Sequence, residues 1–184
     1  MKFNASKIAR GAQSGFTLLE LVVAITLMGL IASLVIPKLN VNKSRGALLF
    51  ENMNEVGKSL LAMKNDTACY PSKIAALYDK NQADQSFCGI DLRETWRAPY
   101  IQKAEFDSSG NMKISQIVTG ATLSITQEPS AVGTAWIVHA TGIPNDILSD
   151  AVTACNGTKT ASGRCKSQPG TGTGTFDLIF DENT

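Results

Sequence analysis

Apolar residues are distributed unevenly along this chain, and one long apolar stretch stands near its N-terminus. The run from Phe16 to Ile36 contains 21 residues, of which only Glu20 is charged. At about 1.5 Å per residue, a helix of this length would cross the ~30 Å hydrocarbon core of a bilayer. The pattern therefore predicts a membrane-spanning helix over residues 16–37.

A short polar segment, residues 1–15, precedes this run and carries three basic residues and no acidic one. Positive charge on one flank of a membrane helix keeps that flank in the cytoplasm, so the remainder of the chain is expected outside. In a secretory signal the small residues of the cleavage site follow the apolar stretch, whereas Ser14 and Gly15 precede it here. Cleavage after Gly15 would leave the helix on the product, so residues 1–15 are predicted to be a leader peptide.

The helical pattern continues beyond the apolar run and becomes amphipathic over residues 38–66. Apolar residues recur there at alternating steps of four and three, which places them on one face of a helix: Leu49, Met53, Val56, Leu60 and Met63. Residues 16–65 together would form a rod about 75 Å long. Gly29 and Pro37 interrupt this rod, and a kink is expected where they lie.

Residues 67–184 alternate short runs rich in β-branched and aromatic residues with turn signals. These runs predict strands over 100–106, 112–118, 121–126, 134–140 and 176–180. Short helices are predicted over 73–78 and 145–152, and a flexible linker over 169–175. The expected fold class is α+β, with a long N-terminal helix packed on an antiparallel β-sheet head.

Charge and cysteine content narrow the class of protein. Seventeen basic and sixteen acidic side chains become fourteen and sixteen once the leader is removed, and this near-neutral balance gives no support to a nucleic-acid partner. All four cysteines, Cys69, Cys88, Cys155 and Cys165, fall in the part expected outside the cytoplasm, where disulfides persist. They have no Cys-x-x-Cys spacing, so disulfides are favoured over a zinc site. Connectivity stays open, although a Cys69–Cys88 bridge would staple the excursion between them to the helix.

Residues that could support catalysis or bind a cofactor are sparse. His139 is the only histidine and lies in a strand pattern without a triad motif, so a hydrogen-bonded histidine on a strand face is expected. The acidic C-terminal residues could hold calcium, but no Asp-x-Asp-x-Asp-Gly loop is present. Three basic residues near the last cysteines could contact DNA or a surface: Lys159, Arg164 and Lys166. The chain is predicted not to be an enzyme and to need no cofactor or metal.

The motif Gly15-Phe16-Thr17-Leu18-Leu19-Glu20 and the apolar run behind it, with Gly29 and Pro37, resemble the N-terminus of type IV prepilins. They equally resemble the related pseudopilins of type II secretion. The resemblance implies that a prepilin peptidase cuts between Gly15 and Phe16 and N-methylates Phe16. It also implies that Glu20 directs subunit docking, since a carboxylate on a membrane helix is costly unless it finds a partner. That partner would be the Phe16 amine of a neighbouring subunit.

The resemblance further implies a structural subunit of a type IV pilus that serves adhesion, motility or DNA uptake. Its partners would be further copies of itself in a helical filament, the prepilin peptidase and the inner-membrane assembly machinery. The precursor would lie in the inner membrane and the assembled subunit at the cell surface. The excursion between Cys155 and Cys165 resembles the disulfide-closed loop near the C-terminus of many pilins.

Two related functions remain as alternatives. Residues 95–100, Thr-Trp-Arg-Ala-Pro-Tyr, resemble the Trp-Gly-x-Pro-Tyr turn of many secretion pseudopilins, with Arg97 in place of the glycine. A pseudopilin is therefore the first alternative. The second is a low-abundance minor pilin that acts at a filament tip as an adhesin or DNA-binding module.

Overall fold

The computed structural model describes residues 18–35, 41–97 and 99–183. Predictions that concern the leader, Gly15, Phe16 and Pro37 lie outside the described residues. The chain divides into two compact units, Met1–Asn40 and Val41–Thr184. The helices are α1 (Leu18–Val35), α2 (Val41–Thr67) and α3 (Asn145–Asn156), and the strands are β1 (Met112–Lys113), β2 (Thr122–Ser130), β3 (Gly133–Pro144), β4 (Cys165–Gln168) and β5 (Thr173–Asn183).

The first unit contributes one described helix, α1, of 18 residues. Gly29 lies inside this helix, which continues from there to Val35. Within the part of the chain that the structure describes, no helix meets the length and apolarity needed to cross a membrane.

In the second unit, α2 packs its apolar stripe against one face of the sheet. All five stripe residues, from Leu49 to Met63, are buried. They join a single hydrophobic cluster with inward-facing residues of the central strands: Leu123, Ile125, Val138, Ala140, Phe176 and Leu178. The predicted α+β fold class, a helix packed on an antiparallel sheet, is confirmed.

The sheet has five strands in the order β1-β2-β3-β5-β4, and every pair is antiparallel. The first three strands form an antiparallel meander. The chain then crosses as α3, adds β4 at the far edge and returns as β5 between β3 and β4. The predicted final strand therefore occupies an interior position, and the predicted helix over 145–152 is part of α3.

Two strand predictions were wrong in whole or in part and one strand was missed, and each difference has a visible cause. Residues 100–106 are not a strand, because Tyr100 is tied to the helical side: its N–H bonds to the Leu77 carbonyl and its hydroxyl to Asp66. Residues 114–118 turn instead of extending, since the amides of Ile117 and Val118 both donate to the Ile114 carbonyl. Strand β4 was not anticipated, because its sequence, Cys-Lys-Ser-Gln, has little β propensity.

The predicted linker over 169–175 was also wrong. Strand β5 begins at Thr173, so the tract is a tight connection between β4 and β5. Gly172 adopts a left-handed conformation with φ of 86°. The side-chain amide of Asn145 donates to the Gly170 carbonyl at 2.9 Å and accepts from the Gly170 N–H at 3.3 Å, which fixes the tract to the start of α3.

Two disulfides close the excursions that follow α2 and α3. Cys69 pairs with Cys88 and Cys155 with Cys165, and the structure contains no free cysteine among the residues it describes. The second loop has an additional clamp, because the Asn156 amide donates to the Cys165 carbonyl at 2.9 Å and accepts from the Cys165 N–H at 3.1 Å. The four cysteines thus form two local bridges.

Two glycines let other elements approach α2 closely. A Cβ atom at Gly46 would lie 2.7 Å from the Ala151 nitrogen of α3, and one at Gly57 would lie 2.8 Å from the Phe180 Cβ of β5. Neither position has enough space for a side chain. The helix-to-sheet and helix-to-helix distances therefore depend on these two residues.

We expect Gly57→Ala to destabilise the protein by about 1–3 kcal/mol, because the new methyl group overlaps Phe180. The direction is informative, since Gly→Ala inside a helix otherwise stabilises by up to about 1 kcal/mol. Lys58→Ala, at an exposed position of the same helix, is the control and should change stability by less than about 0.5 kcal/mol. Denaturant unfolding of the full chain in detergent would measure both, and a stabilised Gly57→Ala variant would contradict the close approach.

Removing the Cys69–Cys88 bridge by double alanine substitution should cost about 3 kcal/mol on the chain-entropy estimate. Removing Cys155–Cys165 should cost slightly less, because its sequence separation is 10 residues instead of 19. Unfolding of the two double variants under non-reducing conditions measures the difference. The reverse order would show that strain or residual unfolded structure outweighs loop length.

Candidate functional site

The first candidate site is α1, whose surface is apolar on every side. Its described side chains are exposed around the whole helix, with Leu18 82% and Met28 70% exposed and Ile25 58% exposed. A helix that is hydrophobic all round is stable only when it lies in a membrane or among other helices.

Glu20 is the one acidic residue of α1 and lies in its first turn. Its side chain is exposed. A carboxylate in the first turn interacts favourably with the partial positive charge of a helix N-terminus. The fold therefore places a single negative charge at one end of an otherwise apolar rod.

The remaining predicted positions are distributed over the second unit. Trp96 belongs to the segment over residues 95–100, called here the aromatic turn. It donates its indole N–H to the Ala76 carbonyl at 2.8 Å and lies edge-on to Tyr100. Tyr100 in turn bonds to Asp66 near the end of α2 at 3.0 Å. The turn thus anchors the chain to the C-terminal part of α2.

The basic residues of the last disulfide loop are partly engaged by the protein itself. Arg164 donates to the Ile179 carbonyl at 3.0 Å and to the Asn54 side chain at 2.9 Å. Lys166 forms an ion pair with Glu128 at 3.7 Å. Glu128 offsets the charge of Lys166, while the contacts of Arg164 occupy its donors without changing its charge.

His139 lies on β3 and its Nδ1 is bonded to Asp177 on β5. The hydrogen bond to Asp177 raises the pKa of His139 above its ordinary value, against the lowering effect of partial burial. The carboxylates of Asp177 and Glu128 add to the increase. The sequence indicated the histidine but not its acidic partner, because the register between β3 and β5 contains two irregularities.

A second polar cluster lies where the end of β5 meets α2. Asp181 accepts from Lys64 Nζ at 2.7 Å and from the Tyr70 hydroxyl at 2.6 Å, and Lys64 lies 4.8 Å from the Tyr70 ring centre. Burial, then the hydrogen bond and charge of Asp181, raise the pKa of Tyr70 far above its ordinary value. The phenol therefore stays protonated and acts as a structural hydrogen-bond donor. The aromatic rings of Trp136 and Phe180 pack against it.

An open cleft of about 1170 Å³ lies between α2 and residues 100–116. Both polar and apolar side chains line it, and the charged ones include Glu55 and Lys58 of α2 and Lys103. Over residues 18–35, 41–97 and 99–183, no three histidine, cysteine or acidic side chains gather as metal ligands.

Comparison with known proteins identifies the N-terminal region. Residues 10–36 match the family model described as the prokaryotic N-terminal methylation motif, which includes Gly15, Phe16, Glu20 and most of α1. No curated protein and no solved structure matches the chain significantly. The chain thus carries the N-terminal methylation motif that is the signature of type IV pilins and pseudopilins.

Proposed function

We propose that this chain is a type IV pilin that is cleaved after Gly15, methylated at Phe16 and assembled into a filament through α1. The observation that carries the proposal is the combination of the methylation motif with a helix that is exposed and apolar on all sides. Such a helix needs lipid before assembly and other helices afterwards. The domain organisation follows, with leader 1–15, core helix 16–37, amphipathic helix 38–66 and head 67–184.

Assembly in this proposal exchanges one apolar surrounding for another. Before assembly the apolar run lies in the inner membrane with its basic leader in the cytoplasm. Lipid tails are as apolar as leucine side chains, so helix association gains little from the hydrophobic effect and depends on packing and polar contacts. A specific polar contact is therefore needed to select one arrangement of the helices.

Glu20 is the residue we propose for this contact. After cleavage, the amine of Phe16 lies four residues ahead of Glu20, at the same end of the helix. Pairing within one helix would leave axial position undefined, whereas pairing between subunits would set the register of each helix against the next. A paired carboxylate also avoids the cost of a few kcal/mol for an ionised group in the membrane.

The head then forms the outer surface of the filament, with the Cys155–Cys165 loop as its exposed variable region. Adhesion, motility and DNA uptake are the tasks such a filament could serve. A secretion pseudopilin is the second candidate, and the aromatic turn at Trp96 is the observation that favours it. Filament location separates the two, because pili reach the cell surface and pseudopili stay in the periplasm.

We predict that Glu20→Ala leaves cleavage intact but lowers filament yield at least about tenfold. A loss of 1.4 kcal/mol per subunit contact already changes an equilibrium tenfold, and an uncompensated amine in the filament core would cost more than that. Sheared surface material and the membrane fraction would be compared by mass spectrometry and electron microscopy.

Glu55→Ala is the matched control for that experiment, because it removes an exposed glutamate from α2 instead of α1. It should leave filaments at the wild-type level. Normal filaments from Glu20→Ala would overturn the register argument, even if the chain remains a processed pilin.

We also predict that Gly15→Val blocks processing, because a β-branched side chain beside the scissile bond would hinder the approach of the peptidase. Intact mass should then show the full precursor beginning at Met1. Gly11→Val, in the same leader, should be cleaved as in the wild type. Processing of Gly15→Val at the wild-type rate would place the cleavage site elsewhere.

A further inference from the structure

The face of the sheet that points away from α2 carries a row of polar side chains across four strands. Ser124 on β2 pairs in register with His139 on β3, His139 with Asp177 on β5, and Asp177 with Lys166 on β4. Residues paired across antiparallel strands project from the same face and lie within reach of one another. The row therefore places a histidine, a carboxylate and an ammonium side by side.

Only one of the two ion pairs on this face follows the row. Asp177 is bonded to His139, while Lys166 bypasses Asp177, its cross-strand neighbour, and reaches Glu128 on β2 at 3.7 Å. Strands β3 and β5 lie between the two partners of that pair. The sheet must curl over this face for the two side chains to meet.

A protonated His139 would account for the pairing of Lys166 with Glu128 instead of Asp177. When His139 is protonated, its imidazolium neutralises Asp177, and Glu128 is the carboxylate with which Lys166 pairs. The side chains of Lys166 and Glu128 are 49% and 55% exposed, so either can move without disturbing the core. Glu182, which pairs in register with Ala135, is the remaining acidic residue on this face among the described residues.

We propose that Lys166 exchanges its partner from Glu128 to Asp177 when His139 loses its proton. Loss of the imidazolium charge leaves Asp177 with a full negative charge directly beside Lys166. The exchange releases Glu128 next to the β2–β3 turn. The exchange also breaks the Lys166–Glu128 pair, which bridges across β3. Ile137 of β3 lies on this face and is only 1% exposed.

The sign of the pH dependence follows from the direction of the histidine shift. The hydrogen bond to Asp177 raises the pKa of His139, so a protonated His139, and with it the Lys166–Glu128 pair, persists to higher pH than for an ordinary histidine. The pair is complete below the ordinary pKa of histidine and is lost as the pH rises through the raised value. Above that value the Lys166–Asp177 pair replaces the Lys166–Glu128 pair.

The test is an NMR titration of His139 in the full chain in detergent micelles. The assignment is simple, because His139 is the only histidine. Four proteins would be compared: the wild type, Glu128→Gln, Lys166→Met and the double variant. Lys113→Met, on β1 at the opposite edge of the sheet, controls for the loss of a strand lysine.

When Lys166 is present, Glu128→Gln should lower the pKa of His139 for two reasons. The substitution removes a nearby anion, and it leaves Lys166 to pair with Asp177. With Lys166→Met in place, only the first effect remains. We expect the decrease to be larger in the wild-type background by about 0.3 units or more. Lys166→Met alone should raise the pKa, and Lys113→Met should leave it unchanged.

Equal decreases in the two backgrounds would mean that Lys166 does not move, and the exchange would be overturned. An absence of any effect of Glu128→Gln would overturn it as well. All substituted side chains are exposed, and superimposable backbone spectra away from residues 128 and 166 would establish that each variant keeps the fold.

Discussion

The second unit is organised by the contact between the apolar stripe of α2 and the inner face of the sheet. Five residues at helical spacing can be buried on one face only if the sheet approaches within side-chain distance along the whole helix. Gly57 permits that approach at β5, and Gly46 permits the equivalent approach of α3. Most of the inner face is committed to α2, and the His139 cluster lies on the outer face. The Asp181 cluster lies where the end of β5 meets α2, and there Asp181 accepts hydrogen bonds from Lys64 and Tyr70.

The helix of the first unit, α1, differs from α2 in how its apolar surface is distributed. In α1 the apolar surface covers every side, so no single packing partner within one chain could bury it. An apolar stripe, as on α2, fixes which side of the helix packs. A helix that is apolar on every side requires only apolar surroundings. In the proposed filament, its orientation among identical helices would come from an asymmetric feature, and Glu20 is the only charged side chain that α1 contains.

The sequence allowed prediction where a pattern is local and failed where a tertiary contact decides. The stripe of α2, the helix after Pro144 and the strand around Leu178 each carry a periodicity that one segment reveals by itself. The segment after Tyr100 has equally good strand residues, yet Tyr100 is held by Asp66 and Leu77, which no periodicity discloses. Glu20 was found because a charge within an apolar run is conspicuous. The partner of His139 was not, because it depends on a register with irregularities.

The edges of the sheet bear on how the head would behave among neighbouring copies in the proposed filament. An unpaired strand edge is a template for association with another chain. On one side, β1 pairs with only two residues of β2, so most of that edge of β2 is not covered by β1. Pro129, near the end of β2, lacks the amide N–H that an added strand would need. On the other side β4 is only four residues long and carries Lys166. It is also held by the Cys155–Cys165 bridge and the Asn156 clamp. Short, charged and tethered edges agree with the proposal that copies of this subunit associate through α1 and not through their sheets.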